Sequence, residues 1–407
     1  MMDSDQKRLI GRYSRRDVLG IAAVVSVAAG IVPFVTHFFG LSKKNSSNAC
    51  QPWPFWDAFV KKHVDSTGRV IDFFNPDLRT TSEGQSYALF FALVNNDIGL
   101  FERILSWTSY YLCDGHLGQR LPAWLWGQSD DKQWEVLDDN TASDADLWIA
   151  YCLLEAGRLW ERKSYTNVGR QLLQLITKTE VIDIPGIGMM LLPGLRGFVT
   201  QEEWTLNPSY LPLMALRRCA LADPTGPWSI ITENASRVIA ESAHNGFSPD
   251  WIAWNGEKFI TDASRGNIGS YDAIRVYLWA GMLNTNDPEQ KKILQNIDGL
   301  RQLLKKQQVI PEKVDITTGT ANGQAPVGFS AALLPYLSVL NEDAILASAN
   351  GRIPTADKSS SDLLHYYDRM LILFGQGWYE ERFRFAADGS LQPFWRISSC
   401  SVTKSSH

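Results

Sequence analysis

Apolar residues recur along this chain at helical intervals, separated by polar, turn-rich connections. Phe55, Trp56, Phe59, Val60, His63 and Val64 share one face, as do Leu100, Ile104, Leu105 and Trp107. Comparable patterns fall near residues 165–180, 209–221, 228–243, 271–283, 288–308, 328–340 and 361–375. Together with apolar runs after Tyr87 and Leu147, they predict about a dozen helices, or six hairpins averaging about 60 residues. No repeat is visible in the residues themselves, so the period is architectural. Stretches 185–207 and 309–327, rich in Gly and Pro, read as rim loops or a short hairpin.

Three of these helices open in the same manner. Thr81-Ser82-Glu83-Gly84-Gln85 precedes Tyr87 to Val94, Ala142-Ser143-Asp144-Ala145-Asp146 precedes Leu147 to Trp160, and Ser270-Tyr271-Asp272 precedes Ala273 to Met282. An acid in a first helical turn is favoured by the helix dipole, Thr141 and Ser143 are good caps, and Ser82 to Gln85 reads as a capping box. Any one of the acids could therefore be purely structural. Their spacing argues for more. Glu83 and Asp144 are 61 residues apart, and Asp144 and Asp272 are 128 apart, close to twice that. Acids recurring at the same end of successive parallel helices would gather at one rim. Carboxyls so gathered perturb one another's protonation, and paired carboxyls in different protonation states cleave glycosidic bonds.

The Ala142–Asp146 segment, continued by Ile149, Ala150, Leu153, Leu154, Ala156 and Trp160, resembles the signature of family 8 glycoside hydrolases. Cys152 departs from it at a packing position. Thr80 to Tyr87, Leu121-Pro122-Ala123-Trp124-Leu125-Trp126, Asn207 to Pro212 and Ser270 to Tyr277 also resemble that family, so the likeness runs from about Cys50 to Cys400. The resemblance implies an (α/α)6 barrel and an exported endo-β-1,4-glucanase that inverts configuration, acting in bacterial cellulose synthesis without metal or cofactor. Its partners would be a β-glucan chain and, as a candidate, the cellulose synthase complex. Glu83 would be the proton donor and Asp272 the base that activates water. Asp144 would be catalytic, either directly or by holding a distorted sugar. Candidate sugar contacts are Tyr87, Trp124, Trp126, Trp134, Tyr210, Tyr271 and Arg275, and Asp146 reads as a structural acceptor. Chitosan, xylan and mixed-linkage glucan remain alternative substrates. A non-catalytic glycan-binding protein and a polysaccharide lyase are the competing classes.

Composition adds three points. The 15 Trp exceed what a core alone would need, which suggests an open aromatic groove; loop residues Phe247, Trp251 and Trp254 add to it. The net charge of -5 becomes -9 once residues 1–49, with seven Lys or Arg and three Asp, are set aside; nucleic acid is thereby a poor partner. Ser14-Arg15-Arg16-Asp17-Val18-Leu19 before an uncharged stretch to Ser42 predicts a twin-arginine-type export signal, or else an uncleaved membrane anchor. Residues 1–49 are therefore read as leader and linker, 50–400 as one catalytic domain and 401–407 as a tail. The location would be periplasmic or secreted. Cys50 and Cys400 flank the domain and form a candidate disulfide. Cys113, Cys152 and Cys219 sit in apolar contexts and are expected as buried thiols. No Cys/His spacing suggests a metal site.

Overall fold

A computed structural model describes residues 52–355 and 364–397. The export motif and both Cys50 and Cys400 lie outside the described residues. The helices are α1 (Pro54–His63), α2 (Ser82–Val94), α3 (Ile98–Leu112), α4 (Ser143–Leu159), α5 (Lys163–Thr179), α6 (Leu213–Ala222), α7 (Trp228–Glu241), α8 (Ala273–Met282), α9 (Pro288–Asn296), α10 (Gly299–Gln307), α11 (Val327–Val339), α12 (Asp343–Arg352), α13 (Tyr366–Tyr379) and the short α14 (Phe394–Ile397). Six of them, α2, α4, α6, α8, α11 and α13, are buried over most of their length and form the inner ring of an (α/α)6 barrel. The outer helices are amphipathic; α5, for example, buries Leu172, Leu173 and Ile176 and leaves its Lys and Gln residues outside.

The ring closes on aromatic packing. Phe374 of α13 meets Phe91 and Tyr87 of α2, Trp148 of α4 and Trp279 of α8, with ring centroids 4.6, 5.1, 5.7 and 5.1 Å away. Trp148 is fully buried, as is Trp228, and nine tryptophans in all are core residues. Most of the indoles are thus buried and do not line a groove, and those at the centre sit where six converging inner helices leave space that large flat rings fill well. Close helix contact is secured by glycine: a Cβ at Gly375 of α13 would lie 1.9 Å from the Ala331 carbonyl oxygen of α11.

The expected helices 209–221 and 288–308 prove shorter or broken. The first starts with a 3-10 turn, Pro208–Tyr210, before α6, and the second divides into α9 and α10 at Ile297 and Asp298. Helix α12 was missed, since only Ala349 among its residues is buried and no apolar stripe marks it.

The connections hold more strand than their composition suggested. Strands β1 (Thr80–Thr81), β2 (Leu125–Gln128) and β3 (Trp134–Asp138) form one antiparallel sheet, and β4 (Val181–Ile184) with β5 (Gly188–Leu191) a hairpin. Strands β6 (Trp204–Leu206), β7 (Ile252–Trp254) and β8 (Phe259–Ile260) make a third sheet, and β9 (Ile268–Gly269), β10 (Lys313–Asp315) and β11 (Ala321–Asn322) a fourth. Strands β12 (Phe383–Phe385) and β13 (Leu391–Pro393) pair near the C-terminal side of the described chain. Two of these sheets lead directly into acid-bearing helices: β1 runs into α2, and β9 into α8.

Candidate active site

Helix α2 begins at Ser82, but its cap is Thr81, whose Oγ1 accepts from the Gly84 amide at 3.1 Å. The Ser82–Gln85 capping box does not form. Gln85 is drawn into the core instead, where Oε1 accepts from Val70 N at 2.6 Å and Nε2 donates to Thr108 at 2.9 Å. Glu83 is thereby left without capping duty. Its carboxyl accepts a bond from the Ser82 hydroxyl at 3.3 Å and faces a cavity of about 460 Å³.

Helix α4 likewise lacks the side-chain cap expected from Thr141 or Ser143. The Thr141 hydroxyl donates to Glu180 and accepts from Leu195 N, because the segment before α4 is tied sideways to the chain around Pro193. Asp144 accepts from the Ala145 amide at 2.9 Å through Oδ1 and from Arg275 at 3.2 Å through Oδ2.

At α8, Asp272 stands in the N-cap position with helical dihedrals and makes no cap bond of its own. Its Oδ1 accepts from Arg275 Nη2 at 2.5 Å. Arg275 therefore joins the second and third acids. It also donates to Tyr87 Oη at 3.0 Å and Ser209 Oγ at 2.9 Å, so this guanidinium, 6% exposed, orients protein groups from four segments. A fork of fixed donors suits that task.

The three acids differ in environment. The Asp144 side chain is 1% exposed and that of Asp272 27%, while Glu83 is, like Asp272, half-buried at the cavity. Burial, then the charge of Asp144, pushes the Glu83 carboxyl up to about 7. Burial also raises Asp144, against the opposing pull of Arg275. Asp146 is fully buried beside Glu180 and is not among the cavity's lining residues, and neither of its carboxyl oxygens has a hydrogen-bond partner among the described residues. Burial, then the charge of Glu180, raises the Asp146 carboxyl well above its usual range. The acceptor role expected of it is therefore not seen.

The cavity unites Glu83, Asp272 and Arg275 with Tyr87, Tyr210 and Tyr271, drawn from the starts of α2 and α8 and the turn before α6. Tyr271 is 44% exposed and offers its ring at the mouth. Beyond Tyr210 the aromatic surface continues through Trp251, 5.8 Å away, to Phe198, which stacks on Trp251 at 5.9 Å and 3°. The other expected tryptophans lie elsewhere. Trp124 is half-buried beside the start of α2, with its side chain hydrogen-bonded to Asp138, and is not among the cavity's lining residues. Trp126 is buried in a small satellite cluster with Trp107, Leu112 and Cys113. Trp134 stacks on its outer side at 5.2 Å, with the Arg69 guanidinium against both rings. Strand alternation explains the placement, since β2 turns Trp126 towards α3. Trp254 is also internal, its indole N–H donating to Pro185 O at 2.8 Å. Cys113, Cys152 and Cys219 are buried free thiols, as expected.

Sequence reading missed His365, Tyr366 and Tyr367, which form one wall of the cavity from the start of α13, and Asp250, which lies under the start of α8. The Tyr366-Tyr367 pair was a visible signal, because two tyrosines at a helix start need polar partners. Asp250 had none, since its partners lie 20 or more residues away.

A double ring of helices with two carboxyls from distant helix starts, Glu83 and Asp272, on one aromatic-walled cavity is the arrangement of a polysaccharide-cleaving hydrolase. Residues 36–381 match the family model for glycosyl hydrolases family 8. An endoglucanase of Xanthomonas axonopodis pv. citri is 54% identical over 94% of this chain and 96% of its own length. Among solved structures, an endo-1,4-D-glucanase from Vibrio fischeri ES114 aligns with a TM-score of 0.78 at 42% identity, covering 85% of this chain and all of that one. The endo-beta-1,4-glucanase CMCax from Acetobacter xylinum aligns with a TM-score of 0.65 at 26% identity, covering 79% and 95%. The chain belongs to glycosyl hydrolases family 8 and is an endoglucanase.

Proposed function

We propose that this endoglucanase cleaves internal β-1,4 bonds of a neutral glucan by a single inverting displacement, with Glu83 as proton donor and Asp272 as base. The observation that carries the reading is that Glu83 and Asp272, 189 residues apart in sequence, line one cavity, with the Glu83 carboxyl pushed up to about 7 by burial and the charge of Asp144. Glu83, protonated up to about pH 7, gives its proton to the leaving glycosidic oxygen. Asp272 takes a proton from the water that attacks the anomeric carbon from the opposite face, and the new C–O bond forms as the old one breaks. Asp144, fixed by Arg275 and buried behind the cavity wall, acts through its charge on Glu83. Tyr210, Trp251 and Tyr271 supply faces on which neighbouring rings stack.

The arginine pair before an uncharged stretch supports export to the periplasm, and a place beside cellulose synthesis is part of the same proposal. Release of reducing ends from carboxymethylcellulose, compared with xylan, chitosan and mixed-linkage glucan, tests the substrate. Preference for the β-1,4-glucan is expected. Faster cleavage of chitosan or xylan would overturn that choice, and an unsaturated product absorbing in the ultraviolet would indicate a lyase. Fractionation of cells producing the full chain tests location; retention of all activity in the cytoplasm would refute export.

A further inference from the structure

Asp272 sits where a helix-starting aspartate ordinarily folds back to cap its own helix, and its carboxyl does not do so. The amides left over at this helix start are collected by another residue. Asp250 Oδ1 accepts from Ser270 N at 2.7 Å, from Asp272 N at 3.0 Å and from Ala273 N at 2.7 Å. The Asp250 backbone is itself held, its amide donating to Ile268 O at 2.8 Å, and two residues before it Ser248 N donates to Tyr277 Oη at 3.1 Å. From the other side, Tyr367 Oη donates to the Tyr271 carbonyl at 2.6 Å.

We propose that Asp250 is a positioning residue for the reaction: by capping α8 through space it frees the Asp272 carboxyl to turn to Arg275 and the cavity. Three N–H donors on one carboxylate oxygen fix the backbone of Ser270 to Ala273, and the Asp272 side chain inherits that placement. Without Asp250, the unsatisfied amides compete for the nearest carboxyl, which is Asp272's own, and the base swings out of line. Asp250 also sets the local charge. The titratable groups facing it are Asp272 and Tyr277 of α8 and Tyr367 of α13.

The inference rests on reading Asp272 as the base, so the test includes that residue. Full-length Asp250→Ala, Asp250→Asn and Asp272→Asn are compared with the unsubstituted enzyme in kcat and KM on carboxymethylcellulose, with thermal melts alongside. Asp250→Ala is expected to lose about 10²-fold in kcat with KM changed little, the scale of an ångström's misplacement of a reacting group. Asp250→Asn keeps the accepting oxygen and is expected to recover most of that loss. A folded Asp250→Ala with undiminished kcat, or an Asn variant as impaired as Ala, would overturn the proposal. Should Asp250→Ala fail to fold, the Asn variant decides, and a folded Asn variant whose kcat falls as far as that of Asp272→Asn counts against the proposal. Undiminished turnover by Asp272→Asn would remove the base assignment itself, whatever the Asp250 variants do.

Discussion

Arg275 and Asp144 meet at 3.2 Å across the interface of α8 and α4, and both side chains are almost wholly buried. The same guanidinium holds Asp272, so one cation ties the buried Asp144 to the acid that lines the cavity. Removing one partner of a buried ion pair typically costs about 3–5 kcal/mol, because the other charge is left without compensation. Arg275→Met is therefore expected to lower stability on that scale and to abolish turnover. The loss should be larger at pH 8 than at pH 5, since at the lower pH Asp144 escapes by keeping its proton. Thermal melts at the two pH values check this, and equal losses would show that the pair does not carry charge.

Glu83→Gln should fold as the unsubstituted enzyme does and lose about 10²–10⁴-fold in kcat, the contribution of a positioned general acid. The unsubstituted enzyme needs Glu83 protonated, so its activity should fall as pH rises through about 7. What activity the Gln variant retains should lack that basic limb. The pH profiles of kcat for the two proteins test the assignment.

Asp146 and Glu180 predict a stability trend of known sign. Both carboxyls hold their protons more tightly in the folded chain than in the unfolded one. The unfolded chain releases those protons from about pH 4 upward, so the folded state loses relative stability as pH rises from there. Asp146→Asn puts a neutral amide beside Glu180, with no proton to lose. It should leave stability at pH 5 nearly unchanged and raise it at pH 8. Denaturant titration at both pH values checks the difference.

Two glycines predict unequal costs. Alanine at Gly375 would drive its Cβ into backbone, 1.9 Å from Ala331 O, whereas at Gly84 it would meet the Tyr366 hydroxyl at 2.3 Å, the end of a side chain that can move. Gly375→Ala should destabilise by about 3 kcal/mol, at the upper end for overpacking. Gly84→Ala should cost less stability but raise KM, because Tyr366 walls the cavity. Melting temperatures and KM for the two variants separate these effects.

The barrel was legible in the sequence because its inner helices bury nearly every residue and its outer ones bury a stripe, so both leave apolar patterns. Helix α12 buries one residue and left none. The convergence of Glu83, Asp144 and Asp272 was legible from recurrence, since helices of similar hairpin length return the same end to the same rim. The tryptophans misled. Composition counts indoles without saying which side of β2 or which face of α4 they leave by, and packing assigned Trp126 and Trp148 to the interior. Caps were misread at Ser82, Thr141 and Ser143 for a related reason: each start is satisfied or tied by partners set by tertiary structure, and no local motif records them. Asp250 is the extreme case, a cap delivered from another loop.

The anomeric form of the first product tests the central claim most directly. Proton NMR of early hydrolysis of a soluble β-1,4-glucan should show the α-anomer at the new reducing end before mutarotation, as a single displacement by an Asp272-held water requires. An initial β-anomer would mean two displacements through a covalent intermediate, and the roles given to Glu83 and Asp272 would be wrong.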